Sequence, residues 1–445
     1  MKRYDNYKSS GVEWIGNIPE HWSIKPIKYL LKEGKDGIRI GPFGSSLKSD
    51  HLSPGGYKIY GQENIINNNF ELGWRYINDK KFSELSDYET KTGDVLVTMM
   101  GTTGKCKVVP QNIERGIIDS HLIRLRVNEK KFIPKLFADL VNNSHYVFSQ
   151  IKLTSKGSIM EGLNSTIIKN LFLLVPSIEE QTAIAKYLDE KTEQIDKLIA
   201  GKRRLIELLK EERTAIINQA VTKGINSLVK LKPSGIDWLG DIPEHWEVKK
   251  LKYLLSKVID NRGKTPPFGT EGVPMLEVKN ITDGLKSPTE IFEKFVQPEV
   301  VPSYERDKVQ VSDLLISTVG ATSGKVVIIE NKPNYFIAQN VVGLRTIKSV
   351  NNLFFYYFLK SDYFFTSLKM INKSNTIDNL KVSIFVNNIC FLPPFEEQKQ
   401  VVEFIETKSS EVDLTISKIE KEIELMQEYR TALISEVVTG KITVV

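Results

Sequence analysis

From Pro176 to Lys223, and again from Pro393 to Lys441, apolar residues return every seven positions on an otherwise polar background. In the first stretch the repeating position holds Leu188, Ile195, Lys202, Leu209 and Ile216; in the second it holds Ile405, Val412, Ile419, Met426 and Leu433. A strict seven-residue repeat keeps one apolar stripe turned toward a partner helix, so the pattern predicts two long helices joined in a coiled coil. Lys202 interrupts the first stripe and marks where packing should depart from regularity. Each stretch opens on proline and an acidic pair, Glu179/Glu180 or Glu396/Glu397, which suits the positive end of a helix. Gly224 and Gly440 follow, where a left-handed residue commonly ends one. The plainer alternative, two helices inside ordinary globular cores, fits less well because helices beyond about 25 residues are unusual in compact domains.

The rest of the chain carries a different pattern. Short apolar runs such as VLVTMM, KVVIIE and LFLLVP alternate with glycine, proline and asparagine turns and predict strands. FIPKLFADLVNN and NLFFYYFLKSDYFFTSLK predict helices among them. These mixed segments are also duplicated. SGVEWIGNIPEHWSIKPIKYLL returns as SGIDWLGDIPEHWEVKKLKYLL, with His21 and His245 separated by 224. DVLVTMMGTTGK returns as DLLISTVGATSGK, and from Leu163/Leu380 onward the offset is 217. Two copies of one sequence must share a fold. The expected class is therefore α+β: two repeated mixed α/β domains, residues 1–178 and 225–395, separated by two long α-helices, 179–224 and 396–445, that pair in a coiled coil. Between the shared anchors the copies diverge, as expected if each presents its own loops to a different target.

Length and composition allow this division. A chain of 445 residues with 41% apolar content can bury more than one core. There is no run of about 18 apolar residues, and MKRYDNYKSSGVEW lacks the apolar centre of a signal peptide, so a cytoplasmic protein is expected, away from membranes. Cys106 and Cys390 stand alone, which supports buried thiols rather than a disulfide or zinc framework. Charge is distributed unevenly: +7 on residues 1–178, 0 on 179–224, +4 on 225–395 and −5 on 396–445. The mixed segments suit a phosphate backbone, and the helices suit protein partners.

Catalytic chemistry is hard to find. GTTGK and GATSGK fall short of a phosphate-binding GxxxxGK[ST] loop and read better as glycine turns after a strand. TPPF and LPPF lack the amide or acid that an adenine methyltransferase places before its prolines, and GPFGS lacks the flanking strand and helix of a cofactor-binding turn. Glu277-Val278-Lys279 resembles part of a nuclease metal site without a matching upstream acid. His21 and His245, beside Trp22 and Trp246, suggest packing; His51, His121 and His145 have no counterparts in the other copy. No catalytic residue and no metal ligand is nominated. What remains is a set of polar and basic loop residues suited to base and phosphate contact: Arg39, Ser45, Ser46, Lys48, Lys105 and Lys156 in the first copy, and Arg262, Lys264, Thr265, Lys325 and Lys373 in the second. Each also has the ordinary reading of a solvated turn.

The doubled EHW opening, the doubled DVLVTxxGTTGK-like turn and the doubled PxxEEQ-led helix together resemble the specificity subunits of type I restriction-modification systems. The resemblance covers the whole chain. It implies that each mixed domain is a target recognition domain reading one half of a split double-stranded DNA sequence. It also implies that the helices act as an antiparallel spacer and dock two modification subunits, which supply S-adenosylmethionine and adenine methylation, with restriction subunits completing the assembly. The chain itself would be a non-catalytic subunit without a cofactor. A helix of about 43 residues spans roughly 65 Å, long enough to hold two readers apart along a duplex. The competing readings are a single-chain DNA methyltransferase or nuclease and a coiled-coil scaffold with no nucleic-acid role.

Overall fold

The computed structural model describes residues 2–12, 15–155, 163–261, 266–282, 286–305, 308–320, 323–372 and 380–444. The chain divides into two compact units, Met1–Lys202 with Lys421–Val445, and Arg203–Glu420. Both divisions fall inside long helices, so each unit combines one mixed domain with part of each helix.

In the first unit, four antiparallel strands form one sheet: β1 (Ile38–Ile40), β2 (Val95–Thr98), β3 (Cys106–Val108) and β4 (Leu122–Leu125), in the order β3-β2-β4-β1. Every residue of β2 and β4 is buried, which is why VLVT reads as a continuous run rather than an alternating one. A five-stranded sheet containing Tyr57–Tyr60 and Gly116–Ile118 packs a second small core around Ile59, Ile77, Phe82 and Ile117. Helix α1 (Pro134–Asn143) takes proline at its first turn and buries Leu136, Phe137, Ala138 and Leu140.

Helix α2 (Ile178–Lys223) runs for 46 residues. Its start is fixed by Gln181, which is fully buried yet satisfied: Oε1 accepts from the Ile133 N–H at 2.9 Å, and Nε2 donates to Lys131 O at 3.2 Å and Pro176 O at 3.0 Å. Glu180 accepts from the Tyr4 hydroxyl at 2.5 Å and lies 2.9 Å from His21 Nε2. The expected packing role of His21 is thus a specific one, joining the opening segment to the helix start.

The second unit repeats the plan. Strands β5 (Leu255–Asp260), β6 (Leu314–Ser317), β7 (Val326–Ile328) and β8 (Val341–Thr346) form an antiparallel sheet in the order β5-β8-β6-β7. Helix α3 (Asn352–Leu359) packs its phenylalanines beneath this sheet, and helix α4 (Phe395–Val438) runs for 44 residues. Gln398 repeats the cap of Gln181, accepting from Asn351 N–H at 2.7 Å and donating to Ser349 O and Pro393 O. His245 Nε2 lies 2.7 Å from Glu397, whose other oxygen accepts from Trp246 Nε1 at 3.0 Å.

Within each unit the long helices run antiparallel. In the first, Asp196 meets Arg430 at 3.2 Å and Lys202 meets Glu422 at 2.5 Å; in the second, Arg213 meets Asp413 at 2.7 Å, while Gly224 lies near Glu397. Of the expected seam, Leu188, Ile195, Ile405, Val412, Ile419 and Leu433 are buried, whereas Leu209, Ile216 and Met426 are half-buried. A second register, one helical step away, completes the stripe with Ile199, Ile206, Ile423 and Val437. Lys202 does depart from apolar packing: its ammonium leaves the seam to meet Glu422. Among the described residues no helix is long and apolar enough to cross a membrane.

Candidate nucleic-acid interface

Antiparallel register decides which loops share an end of each sheet. Ile40 pairs with Ile123, Thr98 with Leu122 and Val97 with Cys106, so the loops at 41–46, 99–105 and 119–121 leave the first sheet together. Backbone bonds knit them: Gly41 N–H to Leu122 O at 3.1 Å, Met99 N–H to His121 O at 2.9 Å, and Leu163 N–H to Met99 O at 3.0 Å. Gly41 is held there by space, because a Cβ would stand 1.8 Å from Asp119 O. In the second unit, Asp260 pairs with Val342, Ser317 with Val341 and Ile316 with Val326; Thr318 N–H donates to Asn340 O, and Leu380 N–H donates to Thr318 O at 2.7 Å. The two sequences, divergent in their loops, build the same loop-bearing end twice.

The glycine turns lie at the centre of these ends. Gly101 and Gly104 adopt φ of +65° and +82°, Gly320 and Gly324 of +71° and +88°, a region in which a side chain is strained. Each turn joins two adjacent antiparallel strands, β2 to β3 and β6 to β7. A phosphate-binding loop instead opens a helix with its free N–H groups, so GTTGK and GATSGK are hairpins, as their spacing suggested. In the first, Thr98 Oγ1 accepts the Lys105 N–H at 3.0 Å and donates to Thr102 O.

The nominated residues separate into three groups. Ser45, Ser46, Lys48 and Lys105 are exposed at or beside the shared end of the first sheet, and Lys325 is half-buried on the equivalent turn of the second. Arg39 is near the same end but already paired at the surface: Nη2 lies 2.9 Å from Asp87 Oδ2, and the guanidinium sits 5.9 Å from the Tyr88 ring centre. Lys156, Arg262, Lys264, Thr265 and Lys373 lie outside the described residues.

Sequence reasoning passed over the apolar and histidine side chains at this end. Phe43 is 60% exposed and Met100 42% exposed, and His121 projects beside the buried carboxylate of Asp119. Asp119 accepts the His121 N–H at 3.0 Å and Arg75 Nη2 at 2.9 Å. Burial opposes the charge on Arg75, but its bonds to Asp119 and Glu63 outweigh that and raise its pKa. Glu277 of the nuclease-like tripeptide is consumed by ion pairs, 2.7 Å from Lys294 and 3.4 Å from Lys279. Both thiols are buried, which pushes Cys106 and Cys390 well above the usual thiol range and away from nucleophilic use.

Comparison with known proteins meets this geometry from outside. The family model for the type I restriction modification DNA specificity domain matches twice, at residues 43–208 and 243–425, together more than half of the chain. The putative type I restriction enzyme MjaX specificity subunit of Methanocaldococcus jannaschii is 28% identical, covering 99% of this chain and 97% of its own length. The MjaVIII specificity subunit of the same organism is 26% identical, covering 96% and 94%. Among solved structures, a chain described under complex assembly and conformational transition of the type I R-M system superposes with a TM-score of 0.66 at 15% identity, covering 95% of this chain and 98% of that one. The HsdS subunit from Thermoanaerobacter tengcongensis gives 0.57 at 14%, with coverage of 95% and 98%. At these identities the structural likeness speaks for the fold.

Proposed function

The chain belongs to the type I restriction-modification DNA specificity family, and from that premise we propose that it is the non-catalytic subunit that reads the target. Each mixed domain, residues 1–178 and 225–395, reads one half of a bipartite double-stranded DNA site with the loop-bearing end of its four-stranded sheet. The observation that carries this reading is the duplication of that end on unlike loops: one frame, two sets of side chains, therefore two half-sites. The net charges of +7 and +4 on these segments favour a phosphate backbone, with Lys105 and Lys325 on the glycine turns facing it. The helices, 179–224 and 396–445, set the separation of half-sites and dock two modification subunits, which bring S-adenosylmethionine and adenine methylation. Restriction subunits complete the assembly, and the complex works in the cytoplasm.

The test is a domain exchange. Replacing residues 1–178 with those of a relative, in the full chain assembled with modification subunits, changes one half-site of the methylated sequence and leaves the other intact; a change in both contradicts independent reading. The purified chain given labelled S-adenosylmethionine and DNA transfers no methyl group by itself, and transfer would establish the single-chain methyltransferase instead.

A further inference from the structure

Each recognition domain clasps one turn in the same way. In the first, Ile118 pairs with Tyr60, Asp119 N–H donates to Tyr60 O at 2.9 Å, and Asn64 closes the turn that follows: Oδ1 accepts the Gly61 N–H at 2.9 Å, and Nδ2 donates to Asn69 O and Leu72 O. In the second, Ile337 pairs with Leu276, Ala338 N–H donates to Leu276 O at 2.9 Å, and Asn280 accepts the Glu277 N–H at 2.9 Å while donating to Thr289 O and Ile291 O. Both asparagines are buried. The clasp aligns the two turns residue by residue, at an offset of 216, and puts Lys279 where the first domain has Glu63. Each of these side chains is 42% exposed. Both turns sit at the loop-bearing end, because Tyr60 O and Leu276 O hold the first residues of the loops that lead into β4 and β8.

The charge reverses on an unchanged frame, and its supports move with it. Arg75 Nη2 joins Glu63, 3.2 Å away, to Asp119 at 2.9 Å. In the second domain Lys294 takes the place of Arg75, since Ile59 N–H donates to Arg75 O and Met275 N–H to Lys294 O. Asp119 is replaced there by Ala338, and Gly61 by Glu277, which lies 2.7 Å from Lys294 and 3.4 Å from Lys279. Glu293 pairs with Lys279 as well. A surface charge reversed by unconstrained drift would need no such rebuilding; these two are braced in place by partners of opposite sign.

We propose that Glu63 and Lys279 are specificity-determining residues at equivalent positions of the two half-sites, Glu63 accepting from the exocyclic amine of a cytosine and Lys279 donating to O6 and N7 of a guanine. The proposal rests on the reading of the chain as a DNA specificity subunit and adds which kind of base each domain selects at that position. A carboxylate is repelled by a phosphate backbone, so at a DNA-facing end it is useful only against a donor on a base edge, and in the major groove the cytosine N4 amine is the donor that carboxylates read. An ammonium at the same position is matched to the opposite pattern, the paired acceptors of guanine. One frame with the sign reversed therefore reads complementary edges.

The experiment uses the full chain assembled with its modification subunits, and selection from a double-stranded library of random sequence defines the bipartite site. Glu63→Ala is expected to lower the preference for cytosine at one position of the first half-site by about tenfold or more, and Lys279→Ala the preference for guanine at one position of the second, each leaving the other half-site intact. Glu63→Gln and Lys279→Gln keep side chains that can hydrogen-bond to the same neighbours and guard against a collapsed turn; an amide reads adenine, so each shifts its own position toward adenine. Base preferences within twofold of wild type at every position, for both alanine variants, overturn the proposal. So does a Lys279→Ala complex that binds all duplexes more weakly, with a salt slope reduced by about 0.9 and unchanged base preference, because Lys279 is then a phosphate contact. A single variant that alters both half-sites overturns it as well. A wild-type assembly that selects no bipartite site fails earlier and refutes the underlying function together with the proposal.

Discussion

Arg213 donates from Nη1 to Asp413 Oδ1 at 2.7 Å across the long helices of the second unit. Its counterpart in the first unit is Arg430 with Asp196, 3.2 Å apart, and one offset of 217 relates arginine to arginine and acid to acid. One ancestral acid and one ancestral arginine therefore cross the seam twice. Only an antiparallel pairing of two copies of the same helix produces this, because in a parallel pair position 196 would lie beside 413, acid against acid.

Lys202 breaks that symmetry, since its counterpart is the buried Ile419. Its ion pair with Glu422 is partly exposed, at 25% and 54%, and such pairs contribute only about 0–1 kcal/mol. Lys202→Ile replaces it with apolar burial of about 1–2 kcal/mol. The variant is expected to melt a few degrees higher in calorimetry; a lower midpoint shows that the ion pair outweighs the burial.

Helix, repeat and glycine turn were legible because they rest on local rules: a seven-residue period, a fixed offset, and glycine where φ is positive. Other features need the fold. Gln181 caps backbone groups as far away as Lys131, and nothing in PxxEEQ alone distinguishes its glutamine from a solvated one. The pairing of Arg39 with Asp87, 48 residues on, has no period to betray it. The half-burial of Leu209, Ile216 and Met426 reflects a seam shared between two registers, of which the seven-residue count follows only one.

The two helix-closing glycines should respond unequally to alanine. Both have positive φ, +74° at Gly224 and +71° at Gly440, which costs an alanine about 1 kcal/mol. At Gly440 the new Cβ would also stand 2.4 Å from Pro19 Cδ, whereas at Gly224 its nearest neighbour is Trp246 at 3.2 Å. Gly440→Ala is therefore expected to lower the thermal midpoint more than Gly224→Ala, and equal losses would leave backbone strain as the whole effect.

Asp94 gives stability a pH dependence of defined sign. Burial raises its pKa, opposed by the Lys91 N–H and by the guanidinium groups of Arg126 and Arg124, and the net shift is upward. The folded state then holds this proton more tightly than the unfolded chain does. Its contribution is complete below the ordinary aspartate range and is lost as pH rises through the raised value. Urea unfolding across that range should show wild type losing stability relative to Asp94→Asn as pH increases, and the opposite slope would make the arginines dominant.

Each recognition domain is also tied to its helix by a lysine, from a different element in each copy. Lys135 of α1 lies 2.8 Å from Asp189, and Lys286, from a loop, lies 2.8 Å from Glu406, the residue equivalent to Asp189. Burial and Glu406 together push the Tyr357 hydroxyl up to about 12. Lys286→Met is expected to destabilise by about 1 kcal/mol or less and to increase amide exchange in the 286–294 segment. Unchanged exchange there would show that the loop is held by its backbone alone.

Lys105 tests the electrostatic half of recognition. It is exposed on the glycine turn with no ion-pair partner among the described residues, while Lys135 in the same region is occupied by Asp139 and Asp189. A lysine that neutralises one phosphate releases about one counter-ion, so Lys105→Ala should reduce the slope of log affinity against log salt by about 0.9. Because phosphates carry no sequence information, the variant should weaken all duplexes alike and leave the bases of both half-sites unchanged. Binding of the assembled complex to its selected duplex, titrated between low and moderate salt, measures this. An unaltered slope with altered base preference would place Lys105 in a groove against a base edge instead.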